Sequence, residues 1–285
     1  MATVTAAFGR LLPSAQTTAN LCNCAPFSSP PETNPVDDGV WMQLREEAEM
    51  DTGKEPMLRE LYTATVLSHC SLEKSLAFIL DAKLSSPQLR LKDVFIAAFD
   101  ADPGIGRSVR KDLAAFLESD PACSRMVHCF LCYKGFLAVQ THRVAHKLWE
   151  DGRRTLALFL QSRVSEVFAV DIHPAAVIGS GLVLDHATGV VIGETSVVGD
   201  NVSIFHNVTL GGTGKITGDR HPKIGDGVLI GTGTNILGNV RVGRNTMIGA
   251  GTIVRKNVPE GITVVGNPAR FIVDKKVTDE PNWDR

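Results

Sequence analysis

Residues 171–210, DIHPAAVIGSGLVLDHATGVVIGETSVVGDNVSIFHNVTL, and residues 223–254, KIGDGVLIGTGTNILGNVRVGRNTMIGAGTIV, carry an apolar period of six. Ile172, Ile178, Leu184 and Val190 form one series, and Ile192, Val198, Ile204 and Leu210 a second, shifted by two. Ile224, Ile230, Ile236, Val242, Ile248 and Val254 form a third. Three places after the aliphatic stands Gly or Asn, as at Asn201, Asn207, Gly227, Gly233, Asn239, Asn245 and Gly251. These residue types tolerate positive φ, so each hexad reads as a short strand closed by a tight corner. Stacked hexads of this kind make a parallel β-helix with a continuous aliphatic core.

The period breaks twice. A two-residue insertion falls near residues 186–191, and GGTGKITGDRHPK replaces ordered hexads over residues 211–223. Insertions in a solenoid emerge as loops, commonly on the binding face. Outside the ruler the composition changes. Of 26 glycines, 19 lie between Ile172 and Arg270, whereas Phe205 is the one aromatic there, which fits a narrow prism lined by Ile, Val and Leu. Residues 37–170 read as a helical bundle, with apolar residues at three and four spacing such as Leu72, Leu76, Ile79 and Leu80. Asp102-Pro103 and Asp120-Pro121 both read as helix starts, with Asp at the N-cap and Pro first in the helix. Residues 1–36 are hydroxyl-rich and acid-poor, either a disordered tail or an organelle transit peptide. Residues 261–285 read as a short C-terminal tail.

The net charge of −2 lacks the basic excess of a general nucleic-acid binder, and no apolar run is long enough to cross a membrane. Cys129 and Cys132 form one CxxC with no second pair. A structural zinc takes four ligands, and His128, His142 and His146 stand nearby; the plainer expectation is side chains of buried helices, with no metal.

The two breaks hold the chemistry. Fourteen residues separate Asp171 from Asp185, close to one coil, which would set Asp171 one layer from His186. A carboxylate on one imidazole nitrogen fixes the tautomer and leaves the other free to take a proton from a hydroxyl. Solvated corner residues are the competing reading. In the second break the glycine run around Gly212 lets a ligand approach backbone amides, but Ile216 stands where a P-loop needs Ser or Thr. Arg220 is suited to gripping a carboxylate with two parallel bonds, or is a plain loop charge.

The joint occurrence of DIHPAA, LDHATG and GGTGK…GDRHPKIGDG, with DPACSRMVHCFLCYKGF upstream and GNPAR downstream, resembles the serine O-acetyltransferase family over residues 40–270. The resemblance implies an α+β multidomain chain: an N-terminal α-helical bundle (37–170) followed by a left-handed parallel β-helix of hexapeptide repeats (171–260). It implies acetyl transfer from acetyl-CoA, a co-substrate with no permanently bound cofactor, to the hydroxyl of L-serine, for cysteine biosynthesis. By the same resemblance His186 is the general base and Asp171 its orienting carboxylate. Asp120, Asp185, Arg220 and His221 bind serine, with Arg220 on its carboxylate. Gly212, Thr232 and Ala250 line the CoA channel, relatives commonly having Ala where Thr232 stands. A homotrimer or hexamer is implied, in the chloroplast or the cytoplasm. The sulfhydrylase that many members bind through a terminal Ile is not expected as a partner, because the sequence ends Asn282-Trp283-Asp284-Arg285. Three competing readings remain: acetylation of another hydroxyl acceptor, a solenoid zinc enzyme using His173, His186, His206 and His221, and a scaffold without activity.

Overall fold

A computed structural model of the chain describes residues 38–214 and 217–272. The tail 1–36 with Cys22 and Cys24, the pair Lys215 and Ile216, and the chain end at residues 282–285 all lie outside the described residues. Helices come first: α1 (Gly39–Lys54), α2 (Arg59–Tyr62), a π-helical turn (Thr63–Leu67), α3 (Leu72–Leu84), α4 (Lys92–Ala101), α5 (Pro103–Ser119), α6 (Met126–Cys132), α7 (Lys134–Glu150) and α8 (Arg154–Phe168). Local chemistry sets several starts. Asp38, Ser71 and Asp102 each accept a backbone N–H of the first turn, and Pro103 opens α5 as expected.

Asp120-Pro121 departs from expectation. Asp120 closes α5 instead of opening a helix, and its carboxylate accepts the Ala122 N–H at 2.8 Å. The same Asp-Pro chemistry here caps a turn, and helix resumes only at Met126. Cys129 is buried in the bundle core, but Cys132 is exposed, so the CxxC splits between inside and outside. Among the described residues no group of three or more His, Cys, Asp or Glu is placed to hold a metal.

α8 ends on Ala169 in the left-handed region (φ 57°), which turns the chain into the solenoid. Three sheets form its walls. The first stacks β1 (Val170–Ile172), β4 (Val190–Ile192), β7 (Thr209–Gly211), β10 (Asn235–Leu237) and β13 (Ile253–Val254). The second stacks β2 (Val177–Ile178), β5 (Val197–Val198), β8 (Lys223–Ile224) and β11 (Arg241–Val242). The third stacks β3 (Val183–Leu184), β6 (Ser203–Ile204), β9 (Leu229–Ile230), β12 (Met247–Ile248) and β14 (Thr263–Val265), with β15 (Arg270–Ile272) antiparallel at its end.

The ruler residues are the inward rows. Ile172, Ile192, Leu210, Ile236 and Val254 pair in register down the first wall. Leu184, Ile204, Ile230, Ile248 and Val264 do so down the third. All ten are buried, each contributing about 1.5–3 kcal/mol relative to exposure. Asn201, Asn207 and Asn245 take positive φ at their corners, but Asn239 does not. β10 runs one residue further, so Gly238 (φ 92°) makes that corner and Asn239 instead donates to Asp219 in the inserted loop. The solenoid also continues past residue 260. Val258 and Val264 are buried six apart, and β14 and β15 carry the third wall on to residue 272, so this part is not tail; a step of four in place of six, from Val254 to Val258, had hidden the period.

The two layers are joined at Asp112 of α5. Its side chain is fully buried and accepts from Arg143 (2.8–3.1 Å), from Gln140 and from the backbone N–H groups of Gly181 and Leu182 (2.8 and 3.0 Å). Arg143 donates onward to the Gly179 carbonyl at 2.8 Å. Removing one partner of such a pair strands a buried charge, which costs about 3–5 kcal/mol.

Candidate active site

The predicted residues fall on two edges of the prism and on the wall between them. The first edge, where the third wall turns into the first, carries Asp185 and His186, then His206, Thr232 and Ala250 in successive coils. Backbone bonds tie the column together, with Asn207 N–H donating to Thr188, Gly233 N–H to His206, and Gly251 N–H to Thr232. His186 and Ala187 are consecutive residues at positive φ (54° and 59°), in the break where the ruler gains two residues. Left-handed conformations of non-glycine residues are costly and cluster at functional positions. The result is an imidazole standing out from the wall, 75% exposed. Its neighbours are the Asp185 carboxylate, 3.9 Å from Nε2, and the ring of His206, edge-on at 5.8 Å. His206 is held in turn by the Thr232 hydroxyl at 2.9 Å.

Arg220 and His221 lie elsewhere, on the edge where the first wall turns into the second. Thr195 organises them. Its hydroxyl oxygen accepts the backbone N–H groups of Arg220 and His221, both at 3.1 Å. Its own N–H donates to His221 Nδ1 at 3.2 Å, which places the ring proton on Nε2. Burial, followed by the Arg220 charge, lowers the His221 pKa, which favours the neutral ring. Glu194 accepts from Arg220 Nη2 at 2.9 Å and so aims the guanidinium. Gly212 sits beneath this pair; a Cβ there would stand 3.3–3.4 Å from Arg220 and His221. It is thereby separated from Thr232 and Ala250, with which it was grouped. His173 is on the same edge, its pKa lowered by burial.

Asp171 lies on the wall between the edges, in β1. Its carboxylate accepts from Gln161 of α8 at 2.6 Å, and no hydrogen bond joins it to His186 among the described residues. The expected dyad is therefore not closed within one chain. Asp185 is the nearer carboxylate, because the inserted corner turns His186 outward. Asp120 sits in the helical layer against the phenol of Tyr133. The four histidines of the zinc reading divide between the two edges, His186 and His206 on one, His173 and His221 on the other.

Glu194, Thr195 and Tyr133 went unread in the sequence. Glu194 and Thr195 occupy ordinary hexad positions, and only their place one coil above the 211–223 insertion could have singled them out.

The comparisons with known proteins agree over both layers. The family described as "Serine acetyltransferase, N-terminal" matches residues 40–141, and "Bacterial transferase hexapeptide (six repeats)" matches residues 221–256. Serine acetyltransferase 1, chloroplastic, from Arabidopsis thaliana is 58% identical over 84% of this chain and 77% of its own. The chain belongs to the serine acetyltransferase family. Solved serine acetyltransferases superpose on it closely. The soybean enzyme complexed with serine is 57% identical, with TM-score 0.80 over 82% of this chain and 98% of that one. The enzyme from Brucella abortus strain S19 in complex with coenzyme A is 50% identical, with TM-score 0.81 over 83% of this chain and 96% of that one. The serine acetyltransferase fold is thus a helical layer followed by the left-handed parallel β-helix of hexapeptide repeats.

Proposed function

We propose that this chain is a serine O-acetyltransferase, transferring acetyl from acetyl-CoA to the hydroxyl of L-serine to give O-acetyl-L-serine and CoA, the first step of cysteine biosynthesis from serine. The observation that carries the reading is the outward imidazole of His186 on a corner of two consecutive left-handed residues, at the head of the His206–Thr232–Ala250 column. CoA reaches His186 along that column, past Thr232 and Ala250. Serine binds with its carboxylate on Arg220, which Glu194 aims, and on the Nε2–H of His221. Asp120 and Asp185 take its ammonium.

His186 removes the hydroxyl proton as the serine oxygen attacks the thioester carbon. The carbonyl then lies over His206, one coil below the base, whose ring stands against the Thr232 hydroxyl. The C–S bond breaks, and protonated His186 returns the proton to the CoA sulfur. Asp171 serves as orienting carboxylate when it leaves Gln161. Neither edge alone holds serine and base together, so the site forms where the Arg220 edge of one solenoid meets the His186 edge of another. A homotrimer or a hexamer supplies that arrangement. We place the enzyme in the chloroplast or the cytoplasm.

The test is thiol release from acetyl-CoA with and without L-serine. Serine-dependent release that falls about 10²–10⁴-fold in His186→Ala, with assembly intact, is expected. Release independent of serine, or near-normal turnover in the variant, overturns the reading.

A further inference from the structure

The His186 ring is largely exposed, so its position is set chiefly by its backbone. That backbone is unusual. Other corners of this edge take a single left-handed residue, such as Asn207 or Gly233, whereas His186 and Ala187 are both left-handed. Two very tight turns follow each other, Ala187 N–H to Asp185 O at 2.6 Å and Thr188 N–H to His186 O at 2.7 Å. A corner this strained keeps its shape only where its surroundings fix it. Backbone bonds do so on two sides, Gly189 N–H to the carbonyl of Ala169 at the end of α8 and the N–H of Asn207, in the next corner, to Thr188 O, both 2.8 Å.

The third support comes from the helical layer. The first turn of α7 abuts the corner so closely that a Cβ on Gly135 would stand 2.0 Å from the Leu184 carbonyl oxygen. That approach sets Lys134 directly over the corner, where its ammonium donates to the Thr188 hydroxyl. The same hydroxyl lies 3.4 Å from the carbonyl oxygen of His186 itself. The chain Lys134–Thr188–His186 therefore runs from a helix terminus to the peptide of the base. Next to Lys134, Tyr133 lies against Asp120, so consecutive residues touch the ammonium-binding carboxylate and the corner of the base.

We propose that Lys134 is a positioning residue for the acetyl-transfer reaction, holding the His186 corner in register through the Thr188 hydroxyl while touching neither substrate. This rests on the assignment of His186 as base. Misplacing a reacting group by about 1 Å costs up to about 10²-fold in rate, and a residue acting this way changes kcat without changing substrate binding.

The experiment compares Lys134→Met, Lys134→Arg, Thr188→Val and the Lys134→Met/Thr188→Val double variant in steady-state kinetics, with His186→Ala alongside. Lys134→Met is expected to lower kcat roughly ten- to hundredfold, with both substrate KM values within about twofold. Lys134→Arg recovers most of the loss. Thr188→Val matches Lys134→Met, and the double variant is no worse than either. Unchanged kcat in Lys134→Met overturns the proposal. So does a raised serine or acetyl-CoA KM at constant kcat, which makes Lys134 a substrate contact, and so does additivity in the double variant. An Arg variant no better than Met overturns it as well, since a lost fold is not restored by the donor alone. Near-normal turnover in His186→Ala strikes the base assignment, and a collapse there with intact Lys134→Met strikes this proposal alone.

Discussion

The helical layer and the solenoid hold themselves together by different means. In the solenoid each residue repeats the task of the one a coil away: Ile230 is buried because Ile204 and Ile248 are. In the helical layer the decisive tie is made once, where Asp112 gathers Arg143, Gln140 and two solenoid amides around one carboxylate. A repeated architecture spreads the consequences of a local change, and a single polar knot concentrates them. The base of the candidate site lies where the two schemes meet, at the first break in the ruler, which α7 holds from outside.

This contrast can be broken on either side. Asp112→Ala leaves Arg143 buried without its partner, and urea unfolding should show a loss of about 3–5 kcal/mol, or no recoverable fold. A loss below about 1 kcal/mol would make the knot dispensable.

His142, buried beside that knot, gives a pH test of the same layer. Burial pushes its pKa from 6.5 down to about 3, so the folded ring stays neutral where the unfolded ring takes up a proton. Its contribution to stability is present above about pH 6.5 and is lost as pH falls toward about 3. The slope of stability against pH over that range should flatten in His142→Phe, and an unchanged slope would assign the acid sensitivity elsewhere.

The smallest effect belongs to an ordinary solenoid corner. Asn207→Ala puts a less tolerant residue at φ 57° and should cost about 1 kcal/mol in the same unfolding experiment. A loss as large as that of Asp112→Ala would erase the difference between the layers.

The two layers were not equally legible. The inward rows of the solenoid could be written down residue by residue, because the period of six is itself the geometry of the coil. It failed only where the count changes, at Asn239 and past Val254. Helices were visible from their spacing, but the ties between them were not. Nothing local marks Asp112 as buried, since its partners lie 28 to 70 residues away. Asp120-Pro121 carries the same signal as Asp102-Pro103, and only the packing around each decides whether a helix follows. Of the candidate site, His186 and Arg220 stood out because insertions expose them. Glu194 and Thr195 did not, because their roles arise from stacking and not from sequence neighbourhood.

The separation of the Arg220 edge from the His186 edge has a consequence for heredity. In an assembly whose sites form between copies, a chain spoiled on one edge still lends its sound edge to a neighbour. Two inactive alleles, one altered at His186 and the other at Arg220, can then restore some activity when expressed together. Neither does so alone, and a single chain carrying both lesions has nothing to lend.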